Sequence, residues 1–334
     1  MKKTVSLAVF LAAAAVFCAC AQGTTDFETS DEGGEGGNDG TSTGSPTSTG
    51  TSGGCSACGP NAMCDSTSGQ CVCNAGFTGN GVTCTDVDEC AMNPNLCGDG
   101  GMCVNEPGGA SCVCAPGYEA SGDLCVDADE CATADGGCAD GCSCTNEVGA
   151  PPTCDCVLTQ SNSQSIVPAS SVSCNNSTEH TDNSYYRVFD LGQLGIDGDF
   201  SVTEVEVGIE SATSSLGTQP IQVKLYELSG AFTTANLLSL GSANGNVADT
   251  IEEVLPFPVS GTATASSKLV VEFFTPAGVG NLLYIGSNNL GETGPSYIRA
   301  LDCVIDEPST CSSIGFPDMH IVMNVHGKYQ KAAP

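Results

Sequence analysis

From about residue 175 the chain alternates. Val205, Val207 and Ile209 are interleaved with Glu204, Glu206, Gly208 and Glu210. Ile221, Val223 and Leu225 alternate with Gln222, Lys224 and Tyr226, and Leu269, Val271 and Phe273 with Val270, Glu272 and Phe274. Ile321, Met323 and Val325 alternate with His320, Val322, Asn324 and His326. A period of two sends successive side chains to opposite faces, which is the pattern of a half-buried strand. Gly, Pro, Asn and Ser separate the runs, and no stretch has helical periodicity. About eight short strands over roughly 150 residues predict an antiparallel β-sandwich of jelly-roll type, spanning residues 175–328.

Upstream, the apolar positions thin out and cysteine takes their place. The first cluster is Cys55, Cys58, Cys64, Cys71, Cys73 and Cys84. The second is Cys90, Cys97, Cys103, Cys112, Cys114 and Cys125. Segments of this length cannot bury enough apolar surface to fold alone, so they need covalent staples. Spacing by itself leaves 15 pairings open for six cysteines.

The segment CSACGPNAMCDSTSGQCVCNAGFTGNGVTC, residues 55–84, resembles an EGF-like domain along its whole length. Cys71-Val72-Cys73 followed by Gly76-Phe77 carries the likeness, and Cys112-Val113-Cys114 followed by Gly117-Tyr118 repeats it in residues 86–125. The resemblance implies pairing of first to third, second to fourth and fifth to sixth cysteine. That gives Cys55–Cys64, Cys58–Cys71 and Cys73–Cys84, then Cys90–Cys103, Cys97–Cys112 and Cys114–Cys125. A third cluster, Cys131, Cys138, Cys142, Cys144, Cys154 and Cys156, with Cys174 farther on, is irregular. Cys154-Asp155-Cys156 resembles the fourth and fifth EGF cysteines, but no Gly-aromatic pair follows. A divergent EGF-like module is expected over 127–174, with one cysteine too many if Cys174 completes it.

An acidic tag precedes two of these modules. Asp86-Val87-Asp88-Glu89-Cys90 returns as Asp127-Ala128-Asp129-Glu130-Cys131. The tandem arrangement resembles calcium-binding EGF-like repeats. The resemblance implies a calcium ion held by Asp86, the Val87 carbonyl, Glu89 and Asn105 in the second module. In the third it implies Asp127, the Ala128 carbonyl, Glu130 and Asn146. A hard cation wants such a mixture of carboxylate and carbonyl oxygens. Ala110 and Pro151 stand where the family has an aromatic residue, and the loop to Cys154 is two residues too long. The first module has no tag, and Ser66 replaces the expected Asn, so no calcium is expected there. Phe77 and Tyr118 are placed to pack across the two joints.

The N-terminus reads as a secretory leader over 1–21, with Lys2-Lys3, an apolar run and then small residues. Two fates stay open: cleavage after Ala21, or lipidation at Cys20, where Ala19-Cys20 resembles a loose bacterial lipobox. Both put the chain where disulfides persist. Residues 22–54, rich in Gly, Ser, Thr and acid, read as a disordered tether. Of 23 cysteines, those after Cys18 and Cys20 are odd in number, so one thiol is left over.

The formal net charge of −31 argues against nucleic acid as a partner and against anionic membranes, except through an N-terminal lipid anchor. Catalysis lacks a signature: there is no nucleophile elbow, zincin helix or phosphate loop. His180, His320 and His326 read as surface residues, and His320 and His326 stand too far apart along one strand to share a metal. The expected protein is all-β, secreted or surface-tethered and non-enzymatic. Calcium stiffens its EGF-like rod, and it acts in recognition or adhesion toward an extracellular protein or glycan. One alternative is a carbohydrate-binding sandwich on a spacer, using Tyr185, Tyr186, Tyr284 and Tyr297 because the chain lacks tryptophan. The other is a secreted hydrolase with an unrecognised site.

Overall fold

The computed structural model describes residue 55 and residues 57–332. The leader, the tether and Cys20 lie outside the described residues. No helix among those described is long and apolar enough to cross a membrane.

Each of the first two modules is a pair of small hairpins. Ala62–Asp65 pairs with Gln70–Cys73, and Phe77–Gly79 with Cys84–Asp86. In the second module Gly101–Glu106 pairs with Gly109–Cys114, and Tyr118–Ser121 with Leu124–Asp127. All six disulfides implied by the resemblance are formed.

The rest is a two-layer antiparallel sandwich. Its strands are β1 (Cys142–Glu147), β2 (Ala150–Thr159), β3 (Asn183–Asp190), β4 (Phe200–Ser214), β5 (Thr218–Leu228) and β6 (Leu237–Ala248). They continue with β7 (Thr250–Ala263), β8 (Lys268–Thr275), β9 (Asn281–Ile285), β10 (Tyr297–Ala300), β11 (Ile305–Thr310) and β12 (Met323–Gln330). The first sheet runs β7-β4-β12-β2-β1, with β9 also on β4, and the second runs β6-β5-β8-β3-β10-β11. The inward residues read from the alternation are all buried: Val205, Val207, Ile209, Val223, Leu225, Leu269, Val271, Phe273, Met323 and Val325 make one core.

Ten of these strands, β3 to β12, belong to the region where about eight were expected, and β1 and β2 join from upstream. The main omissions were β6 and β7, and both are edge strands. β6 carries Gly241 and Gly245, and β7 carries Pro256 and Pro258. An edge tolerates glycine and proline because one side of its ladder is unpaired, and these residues erase the alternation signal.

The boundary expected at 174/175 is also corrected. β2 leaves the third module and pairs with β12 from Thr153↔Gln330 to Thr159↔Asn324, so the module is built into the first sheet. Tyr329 Oη accepts from Ala139 N at 2.8 Å, and Pro152 O accepts from Lys331 N at 3.0 Å. The module keeps Cys131–Cys144 and Cys138–Cys154, equivalent to the first two EGF bridges. The extra cysteine is Cys142, which takes Cys156 in place of a sixth EGF cysteine. Cys174 instead bridges to Cys303 inside the sandwich. The leftover thiol is Cys311, buried, with burial pushing its pKa up to about 12.

Two histidines are not surface residues. His180 and His320 are buried. His180 Nδ1 accepts from Leu283 N at 3.1 Å, and with Pro276 O 3.1 Å from Nε2 the ring fits only as the neutral Nε2–H tautomer. Burial lowers its pKa below the ordinary 6.5, outweighing the Pro276 carbonyl and Asp182, which act in the opposite sense. The stability this contributes is complete above about pH 6.5 and falls below it, because the unfolded chain then takes up a proton that the fold refuses. Thermal melts at pH 7.5 and 5.5 are expected to show a drop that His180→Gln, though less stable throughout, shows less strongly. Equal drops would exclude His180 as the cause.

Candidate calcium sites at the module joints

The first joint is assembled from the acidic tag. Asp88 caps the single helical turn Glu89–Met92, its Oδ1 accepting from Ala91 N at 2.9 Å, which leaves Asp86 and Glu89 to face the loop. Asp86 Oδ2 accepts from Asn105 Nδ2 at 2.7 Å, and Oδ1 from Gly108 N at 2.6 Å. Asn105 Oδ1 accepts from Glu89 N at 3.2 Å. Three of the predicted ligand residues are thus drawn together by their own hydrogen bonds. Val87 follows in the chain and is fixed by its N–H to Gly76 O at 2.9 Å.

The second joint repeats the bonds around its aspartate, though Asp129 makes no cap bond and Asn146 Oδ1 accepts none. Asp127 accepts from Asn146 Nδ2 at 2.7 Å and from Gly149 N at 2.6 Å, and Ala128 N donates to Gly117 O at 3.0 Å. The loop is one residue longer than its counterpart in the second module, not two, and the extra residue does not spoil it. Pro151 and Pro152 together face Asn146 alone, in a register shift between Ala150 and Thr153 opposite β1. A bulge suits proline, which has no N–H to give the ladder. Asn146 keeps its place because the bulge lies on the facing strand.

These joints hold oxygens with nothing to bind. Glu89 Oε2, Glu130 Oε2 and Asn146 Oδ1 are shielded from solvent and lack any hydrogen-bond partner. An unsatisfied buried acceptor costs about 1–3 kcal/mol, and more when charged. Two carboxylates and an amide oxygen at each joint form a hard donor set that fits calcium.

Packing across the joints follows the sequence reading. A Cβ on Gly108 would lie 2.8 Å from the Phe77 ring, and one on Gly149 would lie 2.7 Å from the Tyr118 ring. Each aromatic ring therefore rests on a glycine of the next module. Gly149 has φ +67°, so both its conformation and the ring exclude a side chain.

Residues 86–125 match the family model described as Calcium-binding EGF domain. Residues 68–89 match the one described as Complement Clr-like EGF-like. Human nidogen-1 is 44% identical over 54 residues, which are 15% of this chain and 4% of that protein. Adhesion G protein-coupled receptor L4 of Rattus norvegicus is 47% identical over 57 residues, 16% of this chain and 8% of the receptor. The chain thus spans under a tenth of these relatives, and the likeness concerns the EGF-like region. A solved structure of the cysteine protease and lectin-like domains of Cwp84, a surface layer associated protein of Clostridium difficile, aligns with 46% of this chain and 33% of that one. Its 14% identity and TM-score of 0.31 carry no weight for the sandwich.

Other sequence candidates separate. Tyr185 and Tyr186 are fully buried and offer no sugar platform. One cluster was missed: Glu204, Glu206 and His326 bring their ligand atoms within 4.8 Å of one another. The strands carrying them were legible, but their pairing was not.

Proposed function

We propose that this protein acts outside the cell in recognition or adhesion, with calcium at two successive joints setting the geometry of a disulfide-stapled stem. The observation that carries this reading is the repeated oxygen cradle, each copy with a shielded glutamate oxygen lacking a donor. Bound calcium neutralises those oxygens and ties each linker to the loop of the following module. Because β2 runs from the third module into the first sheet, the second ion fixes the second module against the sandwich itself. The sandwich then presents a surface to an extracellular protein or glycan, without catalysis. Nucleic acid is not a partner under this reading.

Calorimetric titration of the oxidised chain with calcium tests it. Two sites are expected, Asp86→Ala removing one and Asp127→Ala the other. Small-angle scattering should report a change in shape on chelation, while the disulfides keep each module folded. Absence of binding at millimolar calcium would reduce the tags to solvated linkers and defeat the proposal.

A further inference from the structure

We propose that Glu204, Glu206 and His326 form a site for one divalent transition metal ion of the zinc class on the outer face of the first sheet. β4 and β12 are paired neighbours, with Glu204 opposite His326 and Glu206 opposite Asn324. Against β12 the register of β4 shifts between Val202 and Glu204, two steps on β4 matching one on β12. Thr203 is the extra residue of this bulge, and its hydroxyl donates to His326 O at 3.2 Å. The bulge lets Val202 and Val205 both enter the core while Glu204 stays on the outer face beside the imidazole.

The state of the ring nitrogen points to a ligand. The His326 side chain is 31% exposed and within ion-pair reach of Glu206, but its Nε2 is shielded from solvent and makes no hydrogen bond of good geometry. Glu206 Oε2 nevertheless lies 3.2 Å away. That separation matches the ligand-to-ligand edge of about 3.3 Å in a tetrahedral zinc site with arms of about 2.0–2.1 Å. Glu206 is held in place from behind: Asn324, only 5% exposed, donates Nδ2 to Glu206 Oε2 at 2.9 Å and to Gln164 Oε1 at 2.8 Å. Metal-binding carboxylates are commonly supported by such an outer partner.

The donor set decides the metal class. One imidazole and two carboxylates suit zinc, whereas calcium takes oxygen alone. Three protein ligands on two paired strands leave a fourth position for water or a ligand group. The other two histidines, His180 and His320, are buried, and each already accepts a backbone N–H at Nδ1. The Cys311 thiol is buried and held protonated.

Cobalt(II), as a coloured substitute for zinc, tests the site on the whole oxidised chain saturated with calcium. One equivalent should develop a visible ligand-field band, and one equivalent of zinc should abolish it. His326→Gln and Glu206→Gln should each weaken binding at least about 100-fold, the upper end of the cost of losing even a supporting group. Asp127→Ala should leave the band intact, which separates this site from the calcium joints. No band at millimolar cobalt, a band indifferent to both sheet variants, or a band lost with Asp127→Ala would overturn the proposal. Circular dichroism checks that the variants fold, and Glu204→Gln replaces any that does not.

Discussion

Replacing Arg187 with methionine is expected to remove about 3–5 kcal/mol of stability, read as a lower urea midpoint at unchanged slope. Arg187 is fully buried and lies on the inner face of β3, between the core residues Tyr185 and Phe189. Its Nη1 donates to Glu292 Oε2 at 2.8 Å and to Gly294 O at 2.6 Å. Its Nε donates to Ile321 O at 3.1 Å, and Nη2 reaches the same oxygen. Ser296 Oγ donates to Glu292 Oε2 at 2.7 Å and accepts from Ile321 N at 2.9 Å. One guanidinium thus fastens the 292–296 loop and the start of the last strand region to β3.

Methionine fills much of the volume but strands a carboxylate and two carbonyls. Lysine keeps the charge, yet a single ammonium cannot span acceptors in three directions, so Arg187→Lys should recover only part of the loss. Glu292→Gln should cost less than Arg187→Met, and the double variant less than the two losses added, because both remove the same pair. A loss under about 1 kcal/mol for Arg187→Met would show the pair to be solvent-compensated, as exposed ion pairs are.

What the sequence disclosed follows from the range of each interaction. The joints were legible because their chemistry is local: Asp86 and Asn105 are 19 residues apart and belong to one module. Alternation named the core residues of β4, β5, β8 and β12 because period two is written within a strand. It did not reveal that β3 and β8 are covered on both faces. Phe232, from the loop after β5, stacks edge-on against Tyr186 at 5.6 Å and Tyr297 at 4.8 Å. Glu272 is buried beside Ser184 and Tyr226, which bind it at 2.7 and 2.8 Å. The cluster at Glu204, Glu206 and His326 was hidden for the same reason, since it depends on which strand lies next to which.

Removal of the Cys174–Cys303 bridge by paired alanine substitution is expected to cost about 4–5 kcal/mol, more than removal of any other disulfide in the sandwich or third module. Its two cysteines are 129 residues apart, so it closes the longest covalent loop in the described chain. The native segment around Cys174 is held without it. Cys174 N donates to Asn183 Oδ1 at 2.8 Å, and Cys174 O accepts from Asn183 Nδ2 at 3.1 Å and Thr181 N at 2.9 Å. The loss should therefore arise in the unfolded chain, which gains freedom and exposes more surface. The urea dependence should steepen while amide exchange near Cys174 changes little. Removal of Cys142–Cys156, separated by 14 residues and flanked by the β1–β2 ladder, should cost about 3 kcal/mol by the same account. Equal losses for the two bridges would locate the stabilisation in native packing around the cystines rather than in chain entropy.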